Sequence, residues 1–140
     1  NYNKILKKNM INVLKDILNN IRSNGLKGDN HLYITFSTKD KKVIMPSWLK
    51  KKYPLEMTII IQHEYYDIKV NENNFIIMLS FNNIKTKLEI NYNSIISFAD
   101  PSANFGLRLE TPKTNKKIIK NLKKNNKEGK IIDFSNYKKN

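Results

Sequence analysis

The chain changes its hydrophobic period once, near residue 25, and that change decides most of what it can fold into. Before it, Leu6, Met10, Val13, Leu14, Ile17, Leu18 and Ile21 recur at helical spacing within residues 3–23, with Lys and Asn on the other face. That pattern predicts an amphipathic helix. Gly25 is well placed as its C′ residue. Beyond it the period falls to two. HLYITF (31–36) alternates Leu32, Ile34 and Phe36 against Tyr33 and Thr35, as a half-buried strand does.

The same reading continues to residue 109. KVIM (42–45) reads as a short strand, and Pro46 then opens one helical turn that ends before Pro54. MTIIIQHEYYDIKV (57–70) reads as one long bent strand or two joined ones. NENN (71–74) is a turn. FIIMLSF (75–81) and IKTKLEI (84–90) flank Asn82-Asn83, which tolerates the positive φ of a two-residue hairpin. NSIISFA (93–99) is another strand, and DPSANFGLRL (100–109) a turn followed by a last short one. One helix and six or seven short sequential strands, mostly antiparallel, make a small barrel or a two-sheet sandwich. The domain is expected to span 1–110, followed by a basic linker (111–129) and a short motif (130–140) that ends an otherwise polar tail with Ile131, Ile132, Phe134 and Tyr137.

A body of roughly 110 residues buries a core without disulfides or metals. The chain has no cysteine, which removes thiolate chemistry and fits a reducing, cytoplasmic setting. Its apolar runs are too short for a membrane-spanning helix. The net charge of +14 invites a nucleic-acid reading, but the character of the charge weakens it. Arg22 and Arg108 are the two arginines, whereas phosphate sites favour the guanidinium fork. Lys, Asn and Ile together supply 66 of the 140 residues, as AT-rich codon usage would. Residues 113–140 alone carry +8, so the body is only moderately basic.

The usual catalytic constellations are missing. His31 and His63 have no metal-ligand spacing with carboxylates, and the four glycines form no phosphate-cradling loop. Glu64 and Asp67 would point to opposite faces of an alternating strand, which suits a surface role better than acid–base work. No catalytic residue, metal or cofactor is expected. Two stretches are chemically mixed instead. In IIIQHEYYD an Ile-rich strand passes abruptly into Gln62, His63, Glu64 and two tyrosines. These groups can bond a peptide backbone and wall it, or they mark a strand emerging into solvent. In FADPSANFGL, Phe98, Phe105 and Leu107 frame an Asp100-Pro101 turn, which core packing would also explain.

GLKGDNHLYITF (25–36), EMTIIIQHEYYDI (56–68), LSFNNI (79–84) and FADPSANFGLRL (98–109) resemble the SspB family, the bacterial stringent-starvation B proteins, and its shorter alpha-type branch in particular. The likeness runs in order over residues 5–110. Asn30 replaces a second histidine, and Lys27 stands where proline is common. The resemblance implies an α+β, mainly β fold: an N-terminal helix, then two small antiparallel sheets in a half-open, Sm-like barrel. It further implies a homodimer, for which the broad apolar stripe of the first helix makes that helix the candidate interface. The implied activity is that of an adaptor, not an enzyme: it binds the ssrA tag on products of stalled ribosomes and delivers them to the ClpXP protease.

On that resemblance the tag would lie extended in a groove, with Gln62 and His63 as polar contacts and Phe98 and Phe105 as supporting wall. The tail motif of alpha-type members, V-V-x-L-D-x-F-R-K, docks on the N-terminal zinc-binding domain of ClpX. Its nearest match here is Ile131, Ile132, Phe134, Ser135, Tyr137, Lys138 and Lys139. Asp133 precedes Phe134 rather than following it, and the linker is basic where relatives are often acidic. The competing class is an Sm-like RNA-binding module with a basic tail, resting on charge and β content alone.

Overall fold

The structure, a computed structural model, describes residues 1–109. It consists of α1 (Tyr2–Asn24), β1 (Leu32–Ser37), α2 (Ser47–Lys52), β2 (Glu56–Ile61), β3 (Tyr65–Val70), β4 (Asn74–Phe81), β5 (Ile84–Asn91), β6 (Ile95–Asp100) and β7 (Phe105–Arg108). Short 3-10 turns at Tyr92–Ser94 and Pro101–Ala103 lead into and out of β6. The strands form two antiparallel sheets, one ordered β2-β1-β6-β7 and one β3-β4-β5. The helix, the two sheets and the half-open arrangement agree with the sequence expectation, and the sheets do not close into a barrel.

Alternation in the sequence becomes alternation in burial. Leu32, Ile34 and Phe36 of β1 face inward with Met57, Ile59 and Ile61 of β2, and Phe75, Ile77 and Leu79 of β4 join Leu88 and Ile90 of β5. Both sets belong to one continuous apolar cluster. The C-terminal half of α1 closes it with Leu14, Leu18 and Ile21. Truncating one of these to Ala costs about 2–5 kcal/mol by the usual cavity penalty. Gly25 ends α1 at φ 71° and gives its N–H to the Ile21 carbonyl (2.8 Å). A side chain would be strained in that left-handed backbone. The first turns of α1 are different: Ile5 and Leu6 are each 58% exposed, and Tyr2 is 90% exposed.

Turn chemistry follows the sequence at one hairpin, the 57–70 segment resolves into the second of its two expected forms, and one expected strand is lost. Asn82 and Asn83 take φ of 51° and 66° between Phe81 and Ile84, which pair as the closing residues of the β4–β5 hairpin. The expected strand at 42–45 is instead a single bridge, Ile44 to Glu89, while Val43 is buried beneath it. The 57–70 segment is two strands, because Gln62, His63 and Glu64 leave the sheet at the crossing from β2 to β3. Asp67 adopts φ 51° at a bulge in the β3–β4 ladder, so strict alternation does not place Glu64 and Asp67, though both are exposed.

Polar groups tie the connections down. Thr38 gives its hydroxyl to the Tyr53 carbonyl (2.6 Å) and its N–H to that of Leu55 (3.0 Å), anchoring the long β1–β2 connection. Asn91 donates to Asp40 Oδ2 (3.0 Å). That bond, with the Lys42 backbone N–H on Oδ1 (2.9 Å), holds the Asp40 carboxyl below the usual carboxylate range. Burial pushes the Tyr92 hydroxyl up to about 12.

Candidate functional site

Two edges that the fold leaves open define the site. β2 is the outer strand of its sheet, so among the described residues one side of its backbone has no strand partner. In the other sheet β3 begins opposite Leu79, and β4 runs on through Ser80 and Phe81, which among the described residues pair with β5 alone. Between these edges lies a groove of about 430 Å³. Thr58 and Ile60 come from β2, Leu79, Ser80 and Phe81 from β4, and the Gln62-His63-Glu64 crossing joins the two walls.

The local sequence explains this opening. Met57, Ile59 and Ile61 bury their side chains, and the polar triplet that follows has no apolar residue to hold it against the core. Gln62 and His63 are therefore exposed, so that the apolar strand emerges into solvent here, one of the two readings the sequence left open. They offer an amide and an imidazole beside unpaired strand edges. This is chemically suited to an extended peptide, which binds by backbone hydrogen bonds with side chains taken up alternately.

The structure does not bring all four sequence-chosen residues together. Phe98, in β6, is 1% exposed and belongs to the core, so it presents no surface to a ligand. Phe105, in β7, is half-buried with its ring 6.1 Å from that of Phe98. It lines a separate cavity of about 270 Å³ beneath the end of α1, on the strand at the far edge of the sheet from β2. Sequence reasoning also passed over the β4 wall and Ile60. One signal was present: Ile60 falls on the outward face of an alternating strand and is 38% exposed, an apolar residue where a polar one belongs. The linker and the tail residues Ile131, Ile132, Phe134, Tyr137 and Lys138 lie outside the described residues.

Among the described residues no three or more His, Asp or Glu side chains gather as a metal site. No described helix is long and apolar enough to cross a membrane. Comparison with curated proteins finds no match. The family model described as "Stringent starvation protein B" matches residues 5–139, nearly the whole chain and well past the last described strand. The chain therefore belongs to the SspB, or stringent starvation protein B, family.

Proposed function

We propose that this protein is an adaptor that holds the ssrA degradation tag in the groove between β2 and β4 and tethers the tagged chain to ClpXP. The observation that carries the reading is the groove itself: two unpaired strand edges joined by Gln62 and His63, in a member of the SspB family. In such a site the extended tag bonds to the open backbone, Gln62 and His63 supply the polar contacts, and Ile60 and Phe81 take apolar side chains. Phe98 acts from behind, by keeping the β1–β6 pair packed.

Delivery then needs no bond-making by the adaptor. Residues 130–140 dock on the zinc-binding domain of ClpX through Ile131, Ile132, Phe134, Tyr137 and Lys138, and residues 111–129 are the tether. A flexible chain of nineteen residues would span roughly 25 Å root-mean-square and about 60 Å at full stretch, a reach that would make the second encounter intramolecular. The family match runs through residue 139, which supports counting the tail as part of the working protein. Dimerisation through the exposed apolar start of α1 would present two tails and add avidity. The test is degradation of a tagged substrate by ClpXP with the full chain and with residues 130–140 deleted. The full chain is expected to accelerate degradation, and the deletion to abolish that gain while leaving tag binding intact. Undiminished delivery by the truncated protein would overturn the tethering role of the tail.

A further inference from the structure

The GDNH and DPS stretches remain without a role in the groove, and the geometry gives them one. His31 stands at the mouth of β1, one residue before Leu32, which pairs with Ile61 of β2. Its ring lies against that of His63, with centroids 6.2 Å apart and planes at 80°, an edge-to-face pair. Nδ1 of His31 is hydrogen-bonded to the Asp29 carbonyl. A carbonyl only accepts, so Nδ1–H is the donor in this contact, which orients the ring.

The segment that presents His31 is itself anchored. Asn30 N–H closes a turn on the Lys27 carbonyl (3.2 Å). The Ser102 hydroxyl is shared between Asp100 Oδ1 (2.5 Å) and the Asn30 side-chain oxygen (3.1 Å), and Ser102 N–H also binds Asp100 Oδ1 (3.1 Å). A connected series of contacts therefore runs from the β6–β7 turn through Asn30 and His31 to His63. His63 otherwise sits on an exposed crossing with no strand to hold it.

We propose that His31 is the positioning residue for the groove: braced by Ser102 through Asn30, it holds the His63 ring in the orientation that meets the bound peptide. The inference rests on the peptide-groove reading above. It gives the polar blocks at 28–31 and 100–102 a role although neither lines the groove. His31 acts through His63, so its effect on binding must vanish when His63 is absent.

A double-mutant cycle on the full chain, read by anisotropy with a labelled ssrA-type peptide, tests this. His31→Ala is expected to weaken binding by roughly 2- to 12-fold, the affinity equivalent of an aromatic pair. His31→Phe restores most of the loss, because it keeps an aromatic edge. In a His63→Ala background His31→Ala has no further effect. Ser102→Ala shifts binding in the same direction but less. Unchanged affinity in His31→Ala, or an equal loss in both backgrounds, overturns the inference. NMR of the histidine rings in the free protein separates this from failure of the function itself. His31→Ala must move or broaden the His63 ring signals even if no tag binds, and unmoved signals overturn the brace.

Discussion

Tyr92 donates its hydroxyl to the Asn71 carbonyl across 3.0 Å, joining the turn after β5 to the turn before β4. The ring is 3% exposed, tilted against Phe75 at 6.0 Å, with the Lys15 ammonium of α1 5.0 Å from its centroid. Helix and sheet thus meet on one side chain. Its hydroxyl titrates at about 12 because burial disfavours the phenolate. The folded value lies above the unfolded value of about 10, so the contribution to stability is full below pH 10 and is lost as pH rises toward 12. Absorbance titration at 295 nm is expected to show one of the seven tyrosines ionising late. Tyr92→Phe should remove that late step and cost about 0.5–1.5 kcal/mol near neutrality. A late tyrosine that persists in the variant would contradict this.

Asp40 is the acid counterpart. Its carboxyl is held below the ordinary value by the Asn91 side chain first and the Lys42 backbone second. A depressed carboxylate contributes stability above its unfolded value of about 3.9, and loses it as pH falls through the folded value. Asp40→Asn is expected to flatten the stability curve below about pH 4 while changing the alkaline limb little. Chemical denaturation across pH 2–7 reads the difference.

The start of α1 yields a separate expectation. Tyr2, Ile5 and Leu6 lie on the exposed part of a helix whose later residues are buried. Leu6→Glu should therefore leave the fold intact, and thermal unfolding verifies this. Analytical ultracentrifugation is expected to find the parent chain dimeric and the variant monomeric. Equal masses for the two would remove this face from the interface.

Much of the body was legible because its signals are local. The helix shows in the spacing from Met10 to Ile21, and the β4–β5 hairpin in Asn82-Asn83 between two alternating runs. The structure departs from these local signals where a neighbour decides. Val43 and Ile44 have strand propensity, but Glu89 offers that segment only one bridge. Asp67 takes a left-handed turn that most residue types avoid, and the register shifts there.

The site divided along the same line. Gln62 and His63 were legible as polar residues ending an apolar strand. Leu79, Ser80 and Phe81 were not, since they become a wall only because β3 starts opposite Leu79. Phe98 and Phe105 are both aromatic within one block, and sequence carries no mark of which is core. Tertiary packing buries the first and leaves the second on another cavity.

Gln62 gives the most local test of the groove. It is exposed in the free protein, so Gln62→Ala should leave stability nearly unchanged. Bound peptide would cover the position, and loss of its amide leaves a peptide group unpaired. Affinity for the tag is expected to fall by about 1–3 kcal/mol. An unchanged affinity in the folded variant would remove Gln62 from the site.

The most direct measurement is binding of an ssrA-type peptide set against a scrambled peptide of the same composition. Fluorescence anisotropy at two salt concentrations serves, because charge attraction alone is strongly screened. Saturable binding of the tag that survives added salt, with the scrambled peptide failing to compete, is the expected result. Equal binding of both peptides, or binding of neither, would contradict the assignment of the β2–β4 groove as a tag-binding site.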